Sequence, residues 1–187
     1  MIIRLIEIDK HYSEFELMQQ PETNNAGKWM YIFAWICAFG LICLVFSELL
    51  ESQFNPNQSP NSSRMGDIVE VKLEQNRAGH YVTSGIINGK KVVFLVDTGA
   101  TDVSIPAHLA SYLGLIPGRR AYAQTANGVV AIAETNIQTI AIGEIQLNNV
   151  EANLNPGMTG DNILLGMSFL RQLEFTQRGN ALLLRTL

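Results

Sequence analysis

Residues 29–46 read WMYIFAWICAFGLICLVF, eighteen positions without one charge. An α-helix rises about 1.5 Å per residue, so about 20 apolar residues cross the hydrocarbon core of a bilayer. A soluble helix this apolar on every face would have to be enclosed on all sides. A cleaved signal peptide would have a shorter run ending at small residues, whereas this one leaves through SELLESQF. The expectation is an uncleaved transmembrane anchor over residues 29–48. Trp29, Tyr31 and Trp35 cluster at its entry as interfacial aromatics do, Lys28 flanks that end, and the next base after the span is Arg64. That asymmetry puts the N-terminus inside and the C-terminal part on the periplasmic side of a cytoplasmic membrane. Ala34 and Ala38 stand four apart on one helix face with Gly40 nearby, a pattern that either lets a second such helix approach or is ordinary apolar filler.

The anchor divides the chain. Residues 1–28 carry more acids than bases and a loop-like PETNNAG stretch, and are expected to be a mostly disordered cytoplasmic tail. Residues 49–66, rich in Asn, Ser and Pro, read as a flexible linker, and residues 67–187 as the folded domain. Net charge is -4, and beyond Gly66 acids and bases nearly cancel, so the basic footprint that nucleic acid requires is missing. The two cysteines, Cys37 and Cys43, both fall in the apolar segment, and His11, His80 and His108 lack metal-ligand spacing. No metal and no cofactor are expected.

After the linker, short apolar runs alternate with turn signals: DIVEVKLEQ, HYVTSGII, KKVVFLV, GVVAIAE, IQTIAI, EIQLNNVEANL and NALLLRTL. This spacing predicts a mainly β domain. Asn88-Gly89 and Asn127-Gly128 supply the positive φ of tight hairpins, and Gly143-Glu144 predicts a further turn. One short helix is expected over residues 106–113, with Pro at its start and Gly114 past its end, and another over 167–170.

The stretch KVVFLVDTGATDVSIP places a single acid, Asp97, at the end of an apolar strand and follows it at once with Thr98, Gly99 and Ala100. Downstream, Ile163, Leu164, Leu165 and Gly166 head the second short helix, and between the two lies the hairpin signal Thr125, Ala126, Asn127, Gly128. These elements, with GHYV and LLGMSFL, make residues 67–187 resemble the retropepsin-like aspartic peptidases, most closely their single-pass bacterial members. The resemblance implies a single-lobe acid protease β-barrel. It also implies that Asp97 is the catalytic acid, supported by Thr98, Gly99 and Ala100. The motif of Leu164, Leu165 and Gly166 would then pack beneath that loop, and a flap around Thr125, Ala126, Asn127 and Gly128 would cover a peptide substrate.

The chemistry agrees. Two carboxylates about 3 Å apart cannot both ionise and so share a proton, which suits them to activate water against a peptide carbonyl; that pairing is a known property of aspartic proteases as a class. Only one Asp-Thr-Gly occurs here, so the second carboxylate must come from a second copy, in a two-fold homodimer. The expected function is a membrane-anchored aspartic endopeptidase. The alternative is a non-catalytic tethered barrel that binds extended peptides or proteins. One departure from the family stands out: viral relatives carry Arg directly after the second-motif Gly, and this chain has Met167, which leaves Asp102 without its expected partner.

Overall fold

The computed structural model describes residues 25–125 and 128–187. The tail expected over residues 1–28 therefore lies almost wholly outside the described residues, as do Ala126 and Asn127 at the hairpin tip. Two compact units divide the chain, residues 1–46 and 47–187.

Helix α1, Asn25–Phe54, contains the apolar run. It begins four residues before the expected span and continues six beyond it. Its side chains are exposed on every face, Trp29 at 71%, Phe33 at 69%, Phe39 at 68% and Leu44 at 69%. Its stretch from Gly27 to Phe54 is long and apolar enough to cross a membrane. So much bare apolar surface is costly in water, at about 25 cal/mol per Å2.

Among the described residues, the unit of residues 47–187 is built around eleven strands. A four-stranded antiparallel sheet has the order β1-β2-β11-β10, from β1 (Asn61–Met65), β2 (Ile68–Glu74), β10 (Leu173–Arg178) and β11 (Ala181–Thr186). Strand β2 shows why it forms: its alternating sequence buries Val69, Val71 and Leu73 and turns the residues between outward. The larger sheet has the order β3-β4-β9-β5-β8-β7-β6 and closes on itself where β3 also pairs β7. Its strands are β3 (Val82–Ile87), β4 (Lys90–Val96), β5 (Val103–Pro106), β6 (Arg120–Thr125), β7 (Gly128–Ile142), β8 (Ile145–Asn155) and β9 (Asn162–Leu165). Phe94, Ile105, Ile137, Ile140, Ile163, Leu165 and Phe169 fill the core with no measurable exposure.

Turn chemistry does its part locally. Asn88 and Gly89 take φ of 47° and 77°, closing the β3–β4 hairpin as a two-residue turn. The Asn88 side chain also donates to the Leu113 carbonyl and accepts the Thr139 N–H, so the turn is latched to the barrel. A 3-10 turn, Ala107–Leu109, leads into α2, Ala110–Leu113, which ends on Gly114 at φ 66°. Helix α3, Met167–Leu170, falls where the sequence predicts it.

The linker expected at 49–66 is instead part of the fold. Helix α1 runs through Phe54, residues 61–65 are a strand, and Asn55 and Asn57 are buried. The Asn57 carboxamide accepts the Glu74 N–H at 2.7 Å and donates to the carbonyls of Glu74 and Val82 at 2.9 and 2.7 Å, while its carbonyl accepts the Ser84 N–H. It thus joins the end of β2 to the edge of β3. Composition misreads this segment because it counts apolar area, whereas here the ordering comes from amides that satisfy buried main chain. Asn57→Ala leaves three main-chain groups unpaired and is expected to cost about 3 kcal/mol. Chemical denaturation of the full chain in detergent micelles measures it; a loss below about 1 kcal/mol would return the segment to the role of a passive tether.

Candidate active site

The site follows from one pairing. Strands β4 and β9 lie parallel with Val96 opposite Leu165, so the residues that come next, Asp97 and Gly166, leave the sheet side by side. Sequence separation hides this neighbourhood, since nearly seventy residues and the β6–β7 hairpin intervene. The Asp97 N–H donates to the Leu165 carbonyl at 3.2 Å, and the Ala100 N–H turns back to the Asp97 carbonyl at 3.2 Å. Within that turn the Gly99 N–H donates to Asp97 Oδ1 at 2.9 Å. Asp97 is half-buried, whereas Thr98 and Gly99 are exposed. The chain therefore presents a carboxylate, oriented by a main-chain donor, at the open end of a buried strand.

The loop rests on the start of α3. The Met167 and Ser168 N–H groups donate to the carbonyls of Ala100 and Thr101, each at 2.8 Å. Gly166 makes this approach possible: a methyl there would stand 2.6 Å from the Asp102 carbonyl carbon and 2.7 Å from the Ala100 oxygen, with the Asp102 oxygen closer still. The structure thus brings Leu164, Leu165 and Gly166 directly onto the loop of Asp97, Thr98, Gly99 and Ala100. Leu165 and Gly166 are buried and Leu164 partly so.

Thr125 and Gly128 belong to a different element. They pair at the end of the β6–β7 hairpin, with Thr125 Oγ1 donating to the Gly128 carbonyl at 2.8 Å and Gly128 at φ 106°. The tip itself, Ala126 and Asn127, is outside the described residues. Strand β7 is long enough to serve both hairpin and barrel, pairing β6 up to Ala133 and β8 from there on. On one face of the hairpin Val130 packs toward Gly157 in the β8–β9 connection. His108 and Asp161 hold the end of that connection to the turn after β5, at 2.9 Å.

Asp102 does have a cation near it. Burial raises its carboxyl above the ordinary aspartate range, the Glu151 carboxylate adds to the rise, Arg171 opposes it and Glu134 adds again. Arg171 lies one turn after Met167, on the same helix face, and bonds Glu151 at 3.3 Å. The sequence reading missed Arg171, and it missed the loop bonds of Ser168. The signal available for Ser168 was a polar residue inside the apolar run LLGMSFL. A concavity of about 550 Å3 lies on the outer side of β3 and β4, lined by Phe54, Asn55, Ile86 and Lys91 among others. It includes no residue of the Asp97 loop, so the chemistry and not this hollow marks the candidate site. No cluster of three or more His, Cys, Asp or Glu able to hold a metal occurs among the described residues.

Comparison with known proteins bears on this arrangement. The family model described as "gag-polyprotein putative aspartyl protease" matches residues 83–172, from β3 to just past α3. An uncharacterized protein from the cobV 5' region of a Sinorhizobium species is 38% identical over 111 residues, 58% of this chain and 48% of that one. An uncharacterized protein of Rickettsia prowazekii (strain Madrid E) is 29% identical over 111 residues, 58% of this chain and 47% of that one. The chain spans about half the length of these curated relatives. Among solved structures, a retropepsin-like aspartic protease from Rickettsia conorii superposes with a TM-score of 0.53 at 26% identity, covering 68% of this chain and 94% of its own. With the matched segment holding both the Asp97 loop and the Gly166 motif on a closed β-barrel, the chain has the retropepsin-like aspartic protease fold, and residues 83–172 match the aspartyl protease family model.

Proposed function

We propose that this protein is a membrane-anchored aspartic endopeptidase whose active site forms when two copies each contribute Asp97. The observation that carries the reading is the pairing of β4 with β9, which sets a single carboxylate, oriented by the Gly99 N–H, on a loop whose next two residues are open. In the two-fold pair one carboxylate is ionised and the other protonated. The ionised one takes a proton from a bound water as the water oxygen bonds to the peptide carbonyl carbon. The protonated one donates a hydrogen bond to the carbonyl oxygen. As the C–N bond breaks, a carboxyl proton passes to the leaving amine, and the pair returns to its singly protonated state. The β6–β7 hairpin with Thr125 and Gly128 covers an extended peptide or protein substrate.

The full chain in detergent micelles, incubated with a peptide library, is expected to cleave it with a specific activity that climbs as the enzyme is concentrated, because monomers are inactive. Absence of cleavage at every concentration, or constant specific activity where sedimentation shows only monomer, would sink the proposal. The exposed apolar faces of α1 and the flanking Lys28 support an anchor that leaves residues 66–187 on the outer, periplasmic side of a cytoplasmic membrane, where tethering raises the local concentration of the pair. Protease added to spheroplasts is expected to digest this domain. A domain protected there and digested only after lysis would reverse the orientation.

A further inference from the structure

Ser168 is enclosed to 1% exposure. A buried hydroxyl is retained when it is bonded, since an unpaired one costs on the order of 1–3 kcal/mol. The Ser168 Oγ makes two bonds: it accepts the Val103 N–H at 2.9 Å and donates to the Glu151 carbonyl at 2.7 Å. Its own N–H holds Thr101. The residues where the Asp97 loop ends and β5 begins are thus gripped by one residue, Thr101 by its main chain and Val103 by its side chain, and the other side of the side-chain grip is on β8. Glu151 of β8 pairs with Asn136 of β7, the strand that runs out into the flap hairpin. Arg171, the residue that caps the end of the same helix, reaches the carboxylate of the same Glu151.

We infer that Ser168 is a positioning residue for the reaction at Asp97, fixing the path of the loop and hence the separation of the paired carboxylates, and keying that loop to the strand system that carries the flap. The inference rests on the reading of Asp97 as the catalytic acid. A Ser168→Ala variant keeps the main-chain bonds of α3 and loses only the clamp. A shift of the loop by a fraction of an ångström then misaligns the dyad more than it disturbs peptide binding.

The test uses the full chain in detergent micelles, with dimer content fixed by sedimentation at each pH. In Ser168→Ala, kcat is expected to fall by about tenfold or more while KM changes by less than about twofold. The two limbs of the pH profile of kcat should draw together, because carboxylates held further apart repel less. Ser168→Thr, which retains the hydroxyl, should recover most of kcat and the original limb spacing. Hydrogen exchange provides a readout independent of turnover: the Val103 amide should exchange about tenfold faster or more in the Ala variant. An unchanged Val103 amide, or a lower melting temperature with wild-type kcat and limb spacing, would overturn the inference and leave Asp97 untouched. A wild type without activity would instead remove the reading of Asp97, and this inference with it.

Discussion

Replacing Asp97 by Asn is expected to lower kcat/KM about a thousandfold or more, since the amide neither takes the proton of water nor shares one with its twin. The fold should survive. Asn keeps a carbonyl oxygen for the Gly99 N–H that now binds Oδ1, and Asp97 lies at the open end of its strand. Melting within a few degrees of wild type would show that the loss is chemical. Mixing the two proteins tests the dimer more sharply. With equal amounts fully exchanged, only pairs with two aspartates act, so the mixture should show about a quarter of the activity of an all-wild-type sample of the same total protein. Retention of about half would mean that each copy works alone. A barrel that binds extended peptides without cleaving them would show no cleavage in either experiment, and Asp97→Asn would leave its peptide binding unchanged.

Gly166→Ala should do the greatest damage to the fold around the site. The new methyl would press on the main-chain carbonyls of Ala100 and Asp102, and no flexible side chain is there to yield. The glycine cannot move away, because Leu165 is paired to Val96 before it and Met167 is bonded to Ala100 after it. The loop must therefore lift, and the bonds from Met167 and Ser168 are strained or lost. We expect a cost of about 3 kcal/mol or more and, in whatever remains folded, a fall in kcat/KM of about a hundredfold. Gly160→Ala is the control, since a methyl there meets nothing within 4 Å, and its stability should change by less than about 0.5 kcal/mol. Wild-type behaviour of Gly166→Ala would mean that the loop does not rest on the start of α3.

Much of this protein could be read from the chain because it depends on residues close together in sequence. Asn88-Gly89 predicts its turn because only a few residue types take two successive positive φ values, and the turn forms there. Gly114 predicts the end of α2 for the same reason. The apolar run of α1 states its length and its lack of charge without help from any neighbour. The motif around Asp97 is a local chemical statement as well, a carboxylate followed by a residue that allows a tight turn and a main-chain donor.

Other features needed partners that only the folded chain supplies. Strand β10 reads as irregular because its polar residues interrupt the pattern, yet β11 pairs with it along its length. Residues 55–65 look like a tether until Glu74, Val82 and Ser84 present main-chain groups that Asn57 can satisfy. Arg171 becomes relevant to Asp102 only once α3 is laid beside the loop. The sequence by itself determined the long apolar helix, the turns and the place of Asp97, since these rest on helix rise, φ preference and side-chain chemistry. The tertiary structure alone decided that Asp97 lies beside Gly166 and that Ser168 grips the loop, because parallel pairing of β4 with β9 joins residues far apart in the chain. Such pairings are selected by the shared core of Phe94, Ile163 and Leu165, and by no pattern within either strand.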